Sequence, residues 1–98
     1  VIDGNNEQRL FTVGDGTALT LTYLTVRNGS APLGEDGGNI YVEPSSGLTL
    51  VYTRVTGGRA VNGGGIASGG LVEIAFSQID GNTATVAGGV FFSQGEGR

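Results

Sequence analysis

The amino-acid sequence predicts an all-β fold, a parallel β-helix or solenoid of about four coils of roughly 24 residues, with residues 1–98 forming one domain. Three observations predict this fold. A 14-residue block occurs three times, apolar residues alternate within it with period two, and paired glycines follow each block at a short distance. Period two is typical of strands with one buried face, and no stretch shows a competing helical spacing.

The repeated block carries the strands. Its copies are ALTLTYLTVRNGSA at 18–31, GLTLVYTRVTGGRA at 47–60 and LVEIAFSQIDGNTA at 71–84. When the copies are aligned on their last residue, similar residues fall into five columns. These columns are Leu19/Leu48/Val72, Leu21/Leu50/Ile74, Tyr23/Tyr52/Phe76, Val26/Val55/Ile79 and Ala31/Ala60/Ala84.

The N-terminus supplies the tail of a further unit. VIDGNN at 1–6 resembles QIDGNT at 78–83, which adds Ile2 to the column of Val26. Residues 10–13 then take the place of residues 40–42. Measured along the column of Ile2, successive units are 24, 29 and 24 residues long, and the differences fall in the segment before the glycine pair.

A corner interrupts each block. The aromatic column and the next apolar column are three positions apart, as Tyr52 and Val55 are. The period-two alternation therefore breaks at the same place in every unit. One unit is therefore predicted to contain a strand, a corner, a short second strand, a turn and a third strand after the glycines. Such coils stack at about 4.8 Å.

Paired glycines precede the third strand, in GGNI at 37–40, GGGI at 63–66 and GGVF at 88–91. Turns between strands need positive φ, and stacked coils bring backbones close together, so glycine is predicted to be required at positions 37, 63 and 88. A flexible linker would not keep a large apolar residue at one offset from the pair. Ile40, Ile66 and Phe91 are therefore predicted to share a column.

Composition limits the available chemistry. The chain has no cysteine, histidine or lysine, and nine acidic residues against five arginines give a net charge of −4. Disulfide scaffolds, Cys/His zinc sites and imidazole catalysis are excluded. The charge disfavours nucleic acid and anionic membranes as partners, and no apolar run is long enough for direct membrane insertion.

Two aspartates are the first candidates for catalysis. Asp3 and Asp80 occupy equivalent positions, but three coils separate them, about 14 Å at strand spacing. Glycoside hydrolysis needs carboxyl groups about 5 to 9.5 Å apart. Arg27 is adjacent to Asp3 in the same column, so an ion pair between neighbouring coils is predicted, and no catalytic residue is assigned.

Four acidic residues could instead supply oxygen ligands for calcium. These are Asp15, Glu35, Asp36 and Glu43. None of them lies in a calcium-loop motif, so they are interpreted as solvated turns, and no metal or cofactor is predicted.

Two further patterns have structural interpretations. Residues 28–30 fit a glycosylation sequon but are interpreted as a turn. Threonines do not form a flat ice-binding face, because the column of Thr20 and Thr49 continues into Glu73.

The aromatic column of Tyr23, Tyr52 and Phe76 could form a platform on which sugars stack. Its spacing, however, matches that of the neighbouring leucine and valine columns. Stacking inside the coil is therefore predicted.

The repeats resemble those of a known family. LTLTYLTVRNGSA with GGNI, LTLVYTRVTGGRA with GGGI and VEIAFSQIDGNTA with GGVF are similar to bacterial right-handed parallel β-helix proteins of pectin-lyase-like architecture, particularly polymorphic outer-membrane protein type repeats. VIDGNNEQRLFTV resembles the coil that often precedes such repeats, so the similarity covers nearly the whole chain. The sequence departs from the pattern where Gly58 replaces the asparagine found at Asn82, and where PLGED lengthens one loop. The resemblance implies a right-handed coil.

Two classes of function remain open. The resemblance implies a structural or binding segment of a secreted or surface-displayed bacterial protein, adhesin- or autotransporter-passenger-like, located extracellularly or at the outer membrane. The alternative is a non-catalytic part of a polysaccharide lyase or glycoside hydrolase. The start at Val1 and the polar end predict a fragment of a longer passenger or stalk. The absence of histidine and lysine, and of a closely spaced carboxylate pair, favours the first class.

The expected partners are surface proteins or glycans of host or neighbouring cells, with end-to-end self-association through uncapped coils as a further expectation. The variable loops are the predicted contact surface. The longest of them, GSAPLGEDG at 29–37, would project Pro32, Leu33, Glu35 and Asp36 from one side of the stack.

Overall fold

Short strands and turns make up the whole described chain. The computed structural model describes residues 1–14, 16–32, 34–87, 90–92 and 96–97, with side chains through residue 84. None of these residues lies in a helix. The strands are β1 (Ile2–Asp3), β2 (Phe11–Val13), β3 (Ala18–Thr22), β4 (Thr25–Arg27), β5 (Ile40–Val42), β6 (Gly47–Val51), β7 (Arg54–Thr56), β8 (Arg59–Asn62), β9 (Ile66–Ser68), β10 (Leu71–Ala75), β11 (Gln78–Asp80), β12 (Thr83–Ala87), β13 (Val90–Phe92) and β14 (Glu96–Gly97).

The strands form parallel sheets whose neighbours come from successive coils. The sheet orders are β1-β4-β7-β11, β3-β6-β10-β14, β2-β5-β9-β13 and the pair β8-β12. Every strand pair in these sheets is parallel. The chain is therefore a parallel β-solenoid, as the 24-residue repeat predicts, and it has about three turns where the repeat predicts about four coils.

Strand register confirms the predicted apolar columns. Residues paired across neighbouring coils include Leu19/Leu48/Val72, Leu21/Leu50/Ile74 and Ile2/Val26/Val55/Ile79. Phe11 pairs with Ile40, which confirms the place assigned to residues 10–13. The predicted unit lengths follow from these pairings.

The columns form one core along the solenoid. Val26 and Val55 are fully buried, as is Leu50, whereas the alternate positions face outward or toward the rim. Complete burial of such a side chain contributes about 1.5–3 kcal/mol. The buried core residues are Val13, Leu21, Val26, Ile40, Val42, Leu48, Leu50, Val55, Ile66 and Val72.

The predicted column of Ile40, Ile66 and Phe91 is wrong in its last member. Ile66 pairs with Val90, and Phe91 pairs with Ala67. Three glycines precede Ile66 but only two precede Val90, so alignment on the first glycine shifts the third unit by one residue.

Glycine has two roles at the predicted turns. Gly37 and Gly63 have φ of 73° and 61°, which confirms the left-handed conformation, while Gly88 lies outside the described residues. Gly58 serves close packing instead. A Cβ there would collide with the carbonyl oxygen of Gly64 and lie 2.7 Å from Nδ2 of Asn39.

Two asparagine carboxamides hydrogen-bond to the backbone at Gly29 and Gly58. Oδ1 of Asn39 accepts a hydrogen bond from the Gly29 amide at 2.8 Å, and its Nδ2 donates to the Thr56 carbonyl at 3.0 Å. Nδ2 also donates to Oδ1 of Asn82 at 3.2 Å, and that oxygen accepts from the Gly58 amide at 2.8 Å. The carboxamides of Asn39 and Asn82 therefore satisfy backbone groups where Gly29 and Gly58 have no side chain.

Candidate functional site

Three exposed aromatic rings form a stack along one corner of the solenoid, named here the aromatic ladder (Tyr23, Tyr52 and Phe76). Ring centroids lie 5.1 and 5.0 Å apart, with 3° and 10° between the ring planes. The side chains are 76%, 50% and 79% exposed in the same order. The predicted stacking is confirmed, but the prediction that the stack lies inside the coil is wrong.

The corner conformation explains why the rings face outward. Tyr23, Tyr52 and Phe76 have φ of 52°, 48° and 50°, each between two strands of its coil. The step of three residues between inward-facing positions therefore runs from Leu21 to Leu24. It begins two residues earlier than the predicted step from Tyr23 to Val26. Leu24 packs against the core, and the equivalent Thr53 is buried.

Left-handed backbone is an unfavourable place for an aromatic residue. It costs roughly 1–2 kcal/mol per residue for a side chain with Cβ. Elsewhere in the described chain, the residues with positive φ are glycines and the small residues Asn5, Asn6, Asn28 and Ser45. Two stacked pairs contribute only about 1–3 kcal/mol together. Stability alone therefore does not explain the aromatic residues at these corners.

A groove of about 530 Å³ runs beside the aromatic ladder, and it is called the corner groove here. Each of three coils contributes three consecutive residues to it. The lining residues are Tyr23, Leu24, Thr25, Tyr52, Thr53, Arg54, Phe76, Ser77 and Gln78. Because equivalent residues of stacked coils line it, the groove runs parallel to the solenoid axis.

The two walls of the corner groove differ in chemistry. The aromatic ladder forms one wall, and the paired residues Thr25, Arg54 and Gln78 form the other, which is called the polar wall. Between them lie buried Thr53 and its half-buried equivalents in the neighbouring coils, which form the floor. Because the rings stack on one another, a ligand in this groove would meet ring edges and tyrosine hydroxyl groups on one side and hydrogen-bonding side chains on the other.

The charge in the polar wall is neutralised by a neighbouring residue. Nε and Nη2 of Arg54 donate to the two carboxylate oxygens of Asp80, each at 3.0 Å. The hydrogen bond from Arg54 lowers the pKa of Asp80, and the same contact raises the pKa of Arg54. Arg54 is the one charged residue among those lining the groove, so the wall carries donors and acceptors but no unpaired charge.

Backbone groups along the groove are already bonded. The amide of Tyr52 donates to the Ala75 carbonyl at 3.2 Å, and that of Arg54 donates to the Leu24 carbonyl at 2.9 Å. The Gln78 amide donates to the Thr53 carbonyl at 2.9 Å. Ligand recognition in the groove therefore depends on side chains, chiefly the tyrosine hydroxyl groups and the Gln78 carboxamide.

The predicted pair of Asp3 and Arg27 is confirmed. Nε of Arg27 donates to Asp3 at 2.9 Å, and the carboxylate also accepts from the Asn5 amide at 2.8 Å and from Asn28 Nδ2 at 3.2 Å. The hydrogen bond from the Asn5 amide is the main reason that the pKa of Asp3 is lowered. The register separates Asp3 from Asp80 by three coil steps, and the two carboxylates form no joint site.

Arg9 contacts the acidic loop, the segment that contains Glu35 and Asp36. Its Nη2 lies 3.3 Å from Oε1 of Glu35 and donates to the Asp36 carbonyl at 2.6 Å, while its guanidinium lies 5.1 Å from the ring centre of Tyr41. Oδ1 of Asp36 accepts from Nδ2 of Asn62 at 3.1 Å. Among the described residues, no three acidic side chains gather as a metal site. Asp15 and Leu33 lie outside the described residues.

Two minor interpretations agree with the structure. Asn28 has φ of 58°, as expected for the turn predicted at residues 28–30. Thr20, Thr49 and Glu73 pair across coils, so the predicted interruption of the threonine column is confirmed.

No protein-family model, curated protein or solved structure matches this chain. Within the described residues, no helix is long and apolar enough to span a membrane. The site is therefore interpreted from its own residues.

Sequence reasoning missed the groove because it placed the aromatic residues inside. The available signal was the column Leu24/Thr53/Ser77, which lies two residues before the buried column of Val55. Two of its three members are polar, so a search for apolar alternation passes over it.

Proposed function

We propose that the chain is a non-catalytic binding segment of a secreted or surface-displayed bacterial β-helix protein, adhesin- or autotransporter-passenger-like. The observation that carries this proposal is the exposed aromatic ladder, held at corners where backbone conformation disfavours aromatic residues. Exposed aromatic residues on a rigid scaffold are typical of binding surfaces, and strained positions concentrate at functional sites.

The handedness of the coil, the type of repeat and the number of coils belong to the same proposal. The sequence resemblance supports a right-handed coil of pectin-lyase-like type with polymorphic outer-membrane protein type repeats, and the internal repeat supports about four coils in residues 1–98. The resemblance also supports an extracellular or outer-membrane-associated location. Such a solenoid presents its long sides to surface proteins or glycans of host or neighbouring cells.

The state of the carboxylates supports binding without catalysis. A general acid needs a raised pKa at neutral pH. The pKa values of Asp3 and Asp80 are instead lowered, by the Asn5 amide and by Arg54 respectively. Glu35 is paired with Arg9.

The alternative, a non-catalytic part of a polysaccharide lyase or glycoside hydrolase, is favoured by one observation. The corner groove combines aromatic and hydrogen-bonding side chains, which would suit an enzyme that holds a polymer. In that case a catalytic region would lie elsewhere in the protein.

A combined binding and cleavage assay tests the proposal. The chain is incubated with pectin, alginate and neutral polysaccharides, and bound polymer and new chain ends are both measured. We expect binding without new ends. Cleavage that disappears in Asp3→Asn or Asp80→Asn would contradict it, and so would the absence of binding to any polymer or cell surface.

The acidic loop provides an internal comparison. Residues 31–36 are the contact surface predicted from the sequence, whereas the structure exposes the aromatic ladder on a different part of the coil. Deletion of residues 31–36 and substitution of the ladder should therefore have separable effects on binding. Loss of binding on deletion of the loop alone would assign the contact to the loop.

A further inference from the structure

We propose that the corner groove binds an uncharged polysaccharide strand lying parallel to the solenoid axis. This inference rests on the proposed binding function and names its ligand class. It follows from three properties of the groove: its two unlike walls, its bonded backbone and its neutralised charge.

The two walls suit a sugar ring. Pyranose rings carry both C–H and hydroxyl groups, which can contact the ring edges and tyrosine hydroxyl groups of the stacked aromatic ladder on one side and the polar side chains on the other. Tyr52 lies across the floor from Arg54, and Phe76 lies across it from Gln78. This arrangement repeats at the coil spacing, with ring centres 5.1 and 5.0 Å apart, so a polymer can make the same type of contact several times.

The bonded backbone disfavours an extended peptide. Peptides that bind along a sheet obtain much of their affinity by pairing main-chain groups with a free strand edge. Here β7 lies between β4 and β11, and the amides of Tyr52, Arg54 and Gln78 are bonded to neighbouring coils. A ligand recognised through hydroxyl groups by side chains fits this groove better.

The neutralised charge disfavours an acidic polymer. Both oxygens of Asp80 are engaged by Arg54 at 3.0 Å, so the positive charge of Arg54 is offset and attracts a uronate carboxylate only weakly. Opening that pair would leave Asp80 next to the incoming negative charge. Charge complementarity therefore selects a neutral glycan.

The corner conformation gives a test that separates binding from stability. Asparagine tolerates left-handed backbone, and this chain uses it there at Asn5 and Asn28. The triple variant Tyr23→Asn, Tyr52→Asn, Phe76→Asn therefore keeps the corners while removing the rings. A merely structural ladder would show itself as a lower melting temperature in this variant.

Affinity electrophoresis measures the interaction. Native gels of the 98-residue chain contain hydroxyethylcellulose, laminarin or galactomannan as neutral polymers, or polygalacturonate as the acidic one, and an array of uncharged peptides is probed in parallel. We expect retardation by at least one neutral polymer, and a weakening of at least about tenfold in the triple variant. Gln78→Ala should also weaken retardation, while Gln8→Ala, on an exposed position away from the groove, should not.

The outcomes distinguish this inference from the proposed function. Retardation by no neutral polymer, stronger retardation by polygalacturonate, or neutral binding that survives both the triple variant and Gln78→Ala would each overturn the glycan groove. If the chain binds a peptide of the array and the triple variant does not, the glycan groove is also overturned. The proposed function as a binding segment would then still stand. Cleavage of a polymer by the chain would instead overturn the proposed function.

Discussion

Nδ2 of Asn39 donates a hydrogen bond to Oδ1 of Asn82 at 3.2 Å, although the two residues occupy different places in the repeat. Asn39 follows a glycine pair, whereas Asn82 belongs to the turn after a short strand. Their carboxamides meet because Gly29 and Gly58 leave room between the coils, as a Cβ at either glycine would lie 2.7 Å from the carboxamide of Asn39.

Asn39→Ala should destabilise the chain by about 1–3 kcal/mol, because it leaves the Gly29 amide without a partner in the interior and removes one of the two hydrogen bonds that the Thr56 carbonyl accepts. Chemical denaturation measures the change in the free energy of unfolding. Asn82→Ala is the comparison, and it should cost less because Asn82 is only partly buried. Equal costs would contradict the assigned role of Asn39.

The repeat predicted the fold because packing repeats with it. Each coil must bury similar side chains at the same place, so Val26, Val55 and Ile79 recur at a fixed position and their pairing follows from alignment. Asn39 had no such signal. It replaces the glycine found at Gly65, and its importance depends on the absence of side chains at Gly29 in its own coil and at Gly58 in the next.

The two wrong predictions also have physical causes. A hydrophobic pattern predicts that the aromatic ladder lies inside because aromatic residues count as apolar, although a left-handed corner turns Tyr23 outward. Counting from the first glycine aligns Phe91 with Ile66, whereas the 24-residue spacing from Ile66 leads to Val90. Corner conformation and glycine number are local features that a hydrophobic pattern does not encode.

Val55→Asp should destabilise the chain by several kcal/mol, whereas Thr56→Asp should have a mild effect. Val55 is fully buried between Val26 and Ile79, and the neighbouring Thr56 is only partly buried. Urea denaturation of the two variants gives the comparison. Similar losses of stability would contradict the alternation of inward and outward residues in β7.

Tyr52→Asn should leave the thermal midpoint unchanged or raise it by a few degrees. The substitution removes two stacking contacts but relieves a left-handed corner with φ of 48°, and these contributions are of similar size. Differential scanning fluorimetry measures the midpoint, with Leu50→Asn as the buried control that should lower it strongly. A large decrease for Tyr52→Asn would show that the aromatic ladder is chiefly structural.

Stability should fall on acidification through the loss of two carboxylate contacts. The pKa of Asp3 is lowered mainly by the Asn5 amide, and that of Asp80 mainly by Arg54. A carboxyl group with a lower pKa in the folded state stabilises the fold above its unfolded pKa, near 3.9, and loses that contribution as the pH falls through the folded value. The stabilisation is therefore present at neutral pH and disappears below about pH 4.

The double variant Asp3→Asn, Asp80→Asn should show a flatter decrease in unfolding free energy between neutral pH and pH 3 than the unsubstituted chain, because neither position can take up a proton on unfolding. Urea denaturation across the pH series measures it. Glu73→Gln is the control, since Glu73 is exposed on β10 and forms no ion pair among the described residues. That control should retain the original slope, and an equal slope in the double variant would show that the Asp3 and Asp80 contacts contribute nothing to folding.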